Sequence, residues 1–175
     1  MIKNLNFDAL KPHLFALVLF AVISFGYFNP VLEGKMLRQG DMMAYAGGSQ
    51  ELRELEAKTG EYALWTDRMF GGMPTFLIHN PGHANVTRFV HDLLNLNHPR
   101  PANHIFLYML GFYIALLLFG VSPWTSIAGA VAYAFSTYFI IIIDAGHITK
   151  VMALGYMPLV IASAYHAFTK NRMVG

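Results

Sequence analysis

The longest uncharged segment of the chain runs from Pro101 to Ile143 and contains no Asp, Glu, Lys or Arg. At about 1.5 Å of rise per helical residue, a segment of this length can cross a hydrocarbon core of roughly 30 Å twice. It is interrupted by the turn-forming sequence Gly-Val-Ser-Pro from Gly120 to Pro123. The pattern therefore predicts two antiparallel membrane-spanning helices joined by a short turn.

Two further windows, Pro12 to Leu32 and Val151 to Thr169, also lack charged residues, and each is long enough for one crossing. We therefore predict an all-α membrane protein with four transmembrane helices and a large external loop between helices 1 and 2. The predicted segments are a tail at 1–13, transmembrane helices at 14–28, 103–119, 124–143 and 151–168, an external loop at 29–102 with short surface or interfacial helices at about 49–58 and 85–95, an external link at 144–150, and a tail at 169–175.

The composition agrees with a bilayer as the solvent, because 55% of the residues are hydrophobic and only 13% are charged. The formal net charge of +2, without a Lys/Arg cluster that could follow a phosphate backbone, argues against nucleic acid as a partner. The absence of cysteine excludes disulfides and thiolate chemistry. Any metal would need Asp, Glu, His or carbonyl ligands.

The distribution of Lys and Arg residues predicts which side of the membrane each tail and loop occupies. Positive residues concentrate on cytoplasmic loops and tails, and an even number of crossings places both tails on one side. The tails and the loop both carry cations, namely Lys3, Lys11, Lys170 and Arg172 in the tails and Lys35, Arg38 and Arg100 in the loop near the membrane. We give the tails more weight and predict that they are cytoplasmic.

Four crossings also place the loop at 29–102 and the link at 144–150 on the same side of the membrane. Four ionisable residues could then meet there, namely Asp41, Asp67, His147 and Lys150. Ionisable groups at a membrane boundary are costly unless they are paired or used. Two structural explanations stay open, an Asx turn at Asp41 and an ordinary polar link with a snorkelling Lys150. The chain has none of the GxSxG, Walker, HExxH or dinucleotide motifs.

A family resemblance rests on several short segments in a fixed order, namely Asn29 to Lys35, Gln39-Gly40-Asp41, Leu64-Trp65-Thr66, Met69 to Pro74, and Tyr138-Phe139 followed by Ala145-Gly146-His147. Together they resemble the amino-terminal portion of YfhO-family bacterial membrane proteins, over essentially the whole chain. That family is similar to the GT-C glycosyltransferases, which move a sugar from a polyprenyl-phosphate carrier to an acceptor outside the cytoplasmic membrane. The resemblance implies a fragment of a longer, multi-pass protein of the bacterial cytoplasmic (inner) membrane.

The resemblance also implies roles for residues. Asp41 matches the acidic residue near the start of the first external loop, and would act as general base on the acceptor hydroxyl or would position it. Asp67, His147 and Lys150 would bind substrate, with His147 or Lys150 stabilising the leaving phosphate. Asp41 is followed by Met42-Met43 rather than by a second carboxylate, so we expect no cofactor and no divalent metal. The implied partners are the lipid bilayer, a polyprenyl-phosphate-linked sugar and a glycan or polymer acceptor.

Two other classes of protein stay open. A lipid or solute transporter could use the polar link at Asp144 as part of a pathway, although transporters tend to place ionisable groups near the middle of the bilayer rather than at its edge. A non-catalytic membrane assembly protein would need neither Asp41 nor His147.

Overall fold

The computed structural model describes residues 7–79, 85–86, 88–96 and 98–169. The protein is mostly helical, at 74%, with one two-stranded hairpin. In chain order the elements are α1 (Phe7–Tyr27), a 3-10 helix (Asn29–Glu33), α2 (Gly40–Gly48), α3 (Gln50–Thr59), β1 (Trp65–Thr66), β2 (Met73–Pro74), a 3-10 helix (Thr75–Leu77), α4 (Arg88–Leu94), α5 (Ala102–Leu118), α6 (Pro123–Ala134), α7 (Thr137–Ala145) and α8 (Ile148–Thr169).

Two of the described helices, α1 and α8, are long and apolar enough to cross a membrane. A third span is formed if α6 and α7 count as one, although they are bent by 50° relative to each other. Helix α5 has 17 residues and a length of about 26 Å, which is less than a hydrocarbon core of roughly 30 Å. The helices thus support a membrane location, and four crossings stay a prediction.

Helix α5 is the centre of the molecule and packs against α1, α6 and α8. Its side chains are buried on nearly all sides, including Phe106, Tyr108 and Met109. Glycines bring α5 and α8 together, since a Cβ atom on Gly155 would lie 2.7 Å from Leu107 and one on Gly111 would overlap the Gly155 carbonyl oxygen. Small residues allow this close approach between apolar helices.

The predicted third transmembrane helix at 124–143 is divided into α6 and α7. Phe135 ends α6, and Ser136 has extended backbone angles of φ −57° and ψ 130°, so the helical hydrogen bonds stop there. The bend allows Phe139 to pack on Tyr133, with ring centroids 4.7 Å apart, and on Tyr108, at 4.9 Å. Ser and Thr favour helix starts, and the Ser136-Thr137 pair marks this one.

The predicted link at 144–150 is much shorter than expected. Helix α7 continues through Ala145, and α8 begins at Ile148, so only Gly146 and His147 lie between them. Gly146 has a left-handed φ of +89°, and its N–H donates to the carbonyl oxygens of Ile142 and Ile143. A left-handed glycine that satisfies the last carbonyls is a common helix end, and here it allows the next helix to start at once.

The segment between α1 and α5 contains one helix that the sequence did not indicate. Helix α2 is rich in glycine, a weak helix former, and is absent from the prediction. Ser49 lies between α2 and α3 and donates its hydroxyl to the Tyr45 carbonyl at 2.7 Å. Gly60 ends α3 with a φ of +72°. Helix α4 occupies part of the predicted helix at 85–95.

The predicted amino-terminal tail at 1–13 is helical from Phe7 onward, so α1 begins earlier than the predicted position 14. Pro12 is tolerated there because its missing N–H removes a single hydrogen bond near the start of the helix. Residues 1–6 of this tail and 170–175 of the predicted tail at 169–175 lie outside the described residues.

Candidate functional site

The loop and the link meet at one pair of ionisable side chains. The Nδ1 atom of His147 lies 2.7 Å from the Oδ2 atom of Asp41, and the two side chains are 48% and 57% exposed. Asp41 stands in the first turn of α2, and His147 stands directly before the first turn of α8. Helix amino termini favour negative charge, so both helices stabilise the carboxylate.

Two neighbours hold α2 against the end of α7. Gln39 precedes α2, is buried, and donates its side-chain amide to the carbonyl oxygen of Ile143. Gly146 packs so closely on Gln39 that a Cβ atom at position 146 would lie 2.9 Å from the Gln39 Cβ atom. The contact between Asp41 and His147 is therefore built on a fixed backbone junction rather than on two mobile side chains.

The pair has the chemistry of an acid and a base. His147 Nδ1–H donates to Asp41, which leaves Nε2 as an acceptor in the neutral imidazole and as a second donor in the imidazolium. Within the part of the chain that the structure describes, neither the Oδ1 atom of Asp41 nor the Nε2 atom of His147 has a hydrogen-bond partner. Both atoms can therefore serve a substrate at the exposed face of the pair.

Two more charged side chains flank the pair along the chain. Lys150 is exposed in the first turn of α8, and Asp144 is exposed in the last turn of α7. Among the described residues, neither side chain has a partner of opposite charge. The amino end of α8 therefore presents a free cation near the pair, which suits an anionic group.

Asp67, the fourth predicted site residue, takes part in a different contact. Its Oδ1 atom accepts a hydrogen bond from Trp65 Nε1 at 3.0 Å, within the β1–β2 hairpin. Gly72 allows the Trp65 ring to lie against the turn, because a Cβ atom there would be 2.9 Å from Nε1 of that ring. The neighbouring Arg68 pairs with Glu51 of α3 at 3.2 Å. The contact with Trp65 thus ties Asp67 to the hairpin, and its role in substrate binding stays a prediction.

Sequence reasoning missed Gln39, which holds the junction. A glutamine before Gly-Asp carries no local signal, because its acceptor, the Ile143 carbonyl, is distant in sequence and becomes available only where α7 ends. The glycine at 146 was visible in the sequence, but its close contact with Gln39 was not.

Metal ligands are not grouped at this site. Within residues 7–79, 85–86, 88–96 and 98–169, no group of three or more His, Asp or Glu side chains could hold a metal ion. The site as described consists of one carboxylate, one imidazole and a nearby ammonium group.

No known protein family, curated protein or solved structure matches the chain. The resemblance to YfhO-family proteins therefore stays a prediction from the sequence.

Proposed function

We propose that the chain forms part of a membrane glycosyltransferase that transfers a sugar from a polyprenyl-phosphate donor to an acceptor hydroxyl outside the cytoplasm. The observation that supports this proposal most directly is the 2.7 Å contact between Asp41 and His147 at the end of two apolar helices. A proton acceptor at a membrane boundary is what a reaction between a lipid-linked donor and a water-soluble acceptor needs.

In the proposed reaction, the acceptor hydroxyl oxygen attacks the anomeric carbon of the sugar. The bond between that carbon and the phosphate oxygen breaks, and the phosphate leaves with the electron pair. The hydroxyl proton passes to the free Oδ1 atom of Asp41. His147 as an imidazolium holds Asp41 through Nδ1–H and donates Nε2–H to the phosphate, and Lys150 adds a second positive charge.

The proposal predicts that Asp41→Asn lowers the rate of sugar transfer by roughly 10²- to 10⁴-fold, the usual contribution of a general base. The matched control is Asp144→Asn, because Asp144 is an exposed carboxylate next to the same link but outside the pair. The measurement is transfer of a labelled sugar from a polyprenyl-phosphate donor. The membranes contain the protein expressed from the complete open reading frame. Unchanged transfer by the Asp41 variant, or an equal loss in the Asp144 variant, contradicts the proposal.

One observation favours the transporter as a second candidate. Discontinuous helices line the substrate sites of many transporters, and α6 and α7 form a broken helix with a 50° bend. The break itself contains Phe135 and Ser136 and no ionisable group, whereas the charged residues lie at the helix ends. Movement of a lipid-linked sugar across proteoliposomes, without any change in its chemistry, would establish this candidate instead.

A further inference from the structure

A second feature of the external loop concerns the membrane itself. Helix α4 and the residues that flank it present a group of exposed apolar side chains, called the apolar stripe below. The stripe consists of Val86, Phe89, Leu93 and Leu96, which are 83%, 69%, 69% and 51% exposed. Phe89 and Leu93 lie four residues apart in α4 and therefore on one side of the helix, and Val86 and Leu96 flank its two ends.

The opposite side of α4 is fixed to the helices of the core. His91 Nδ1 lies 2.6 Å from the Tyr156 hydroxyl of α8, and Asn95 is buried and donates its amide to the His91 carbonyl at 2.7 Å. On a flank between the two sides, Leu94 packs against the hydrophobic core. The other flank is polar and carries Arg88 and Asp92, 4.0 Å apart.

The contact between His91 and Tyr156 indicates how deep α4 lies in the membrane. Helix α8 has 22 residues and a length of about 33 Å, which matches a hydrocarbon core of roughly 30 Å. Tyr156 lies about 12 Å along this helix from Ile148. If α8 crosses the membrane, α4 lies below the headgroups rather than above them.

The segment after α4 also enters the helix bundle. The His98 ring stands between Phe25 of α1 and Phe106 of α5, with ring centroids 4.9 Å and 4.7 Å apart. Two contacts at separate points, Tyr156 and the Phe25–Phe106 pair, thus hold α4 against the side of the bundle. Helix α8 itself also carries exposed apolar side chains, which include Val160 and Ile161.

We infer that α4 lies embedded in the outer part of the bilayer, with its apolar stripe in contact with the acyl chains of the outer leaflet. The partner is lipid rather than protein because His91 holds α4 against Tyr156, about 12 Å along a candidate membrane-spanning helix. The polar flank with Arg88 and Asp92 then faces the headgroups, as in interfacial amphipathic helices. The inference depends on α8 crossing the membrane and is independent of sugar transfer.

The chain contains no cysteine, so single cysteines can be spin-labelled without a background. Phe89→Cys and Leu93→Cys report on the stripe, Asp92→Cys is the matched control on the polar flank, and Val160→Cys reports on α8. Each variant of the full chain is reconstituted in liposomes, and collisions with oxygen, which dissolves in lipid, are compared with collisions with a water-soluble nickel complex.

The expected result is a ratio of oxygen to nickel collisions that is several-fold higher at positions 89, 93 and 160 than at position 92. A high oxygen-to-nickel ratio at position 160 together with a low ratio at positions 89 and 93 overturns the lipid contact of α4. The membrane crossing of α8 then still stands. Protection of 89 and 93 from both reagents means that protein covers the stripe and also overturns it. A low ratio at 160 overturns the membrane crossing of α8 and the inference with it.

Discussion

At the level of single residues, the contact between Asp41 and His147 depends on Gly146. Gly146 has two properties that only glycine combines, a φ of +89° and a backbone that lies against Gln39. A residue with a side chain would be strained in the left-handed region, which costs roughly 1–2 kcal/mol. It would also push Gln39 and the start of α2 away from α7.

We predict that Gly146→Ala destabilises the protein by more than the roughly 1–2 kcal/mol of backbone strain alone. The matched control is Gly34→Ala, because Gly34 has a similar φ of +75° but nothing within 4 Å of an added Cβ atom. The measurement is the midpoint of thermal unfolding in detergent. Equal losses in the two variants would mean that the packing of Gly146 on Gln39 contributes nothing.

The sequence predicted the partners of this site only in part. The number of uncharged windows predicts that Asp41 and His147 lie on the same side of the membrane. Their contact also requires the packing of Gly146 on Gln39, which is invisible in the sequence. Asp67 and Lys150 were expected at the same place for the same reason. Asp67 instead bonds to Trp65 two residues away, a local contact that a count of crossings cannot anticipate.

At the level of elements, Pro158 and Tyr133 illustrate how α8 tolerates a proline. Proline has no N–H, so the carbonyl of Leu154, four residues earlier, loses its helical donor. The Tyr133 hydroxyl of α6 donates to this carbonyl at 2.8 Å. A side chain from a neighbouring helix thus satisfies the backbone carbonyl that the proline leaves without its helical donor.

We predict that Tyr133→Phe destabilises the protein by about 1 kcal/mol, the usual value of one such hydrogen bond. Phenylalanine keeps the stacking of this ring on Phe112, whose centroid lies 4.3 Å away. In a Pro158→Ala background the effect shrinks, because the introduced alanine supplies the missing N–H to the Leu154 carbonyl. The double-mutant cycle is measured by unfolding in mixed micelles, and an unchanged Tyr133→Phe effect in that background contradicts this account.

His98 connects the segment after α4 to helices α1 and α5, because its ring packs against the rings of Phe25 and Phe106. Burial between these rings lowers the pKa of His98 from its ordinary value of about 6.5, because the charged imidazolium is poorly solvated there. Well above pH 6.5 the imidazole is neutral in both the folded and the unfolded protein. As the pH falls below about 6.5, the unfolded chain binds the proton first, so the folded state loses stability.

We therefore predict that the stability of the protein decreases between pH 7.5 and pH 5, and that His98→Phe reduces this decrease. Phenylalanine preserves the ring contacts and removes the titrating group. The measurement is the unfolding midpoint at both pH values for the two proteins. An identical pH dependence in both would show that His98 carries no part of the effect.

The bounds of a helix were predictable where the hydrophobicity and length of the segment determine them. They were less predictable where tertiary contacts determine them. The ends of α5 at Ala102 and Leu118 lie within one residue of the predicted 103 and 119. The division of the predicted helix at 124–143 was not foreseen, because the Ser136-Thr137 pair is only a weak helix-start signal within a long apolar segment. The bend depends on Phe139 reaching the rings of Tyr108 and Tyr133, which belong to other parts of the fold.

At the level of the whole molecule, the central helix α5 is surrounded by α1, α6 and α8, and the segment between α1 and α5 returns to the α7–α8 junction through α2. Helices α5 and α8 run parallel, since Leu107 meets Gly155 and Gly111 meets Leu159 further along. Hydrophobic patterning accounts for the helices. The return of the loop to the junction is the property on which the proposed chemistry depends.

The most direct test of this arrangement is chemical cross-linking of two cysteines in membranes. Because the protein has no cysteine of its own, the pair Asp41→Cys and His147→Cys can be treated with a short bis-maleimide. The control pair is Asp41→Cys and Thr169→Cys, since Thr169 lies at the far end of α8, about 33 Å from its start. The account predicts cross-linking of the first pair and not of the second. Free labelling of Asp41→Cys and His147→Cys from opposite sides of the membrane, without a cross-link between them, would contradict it.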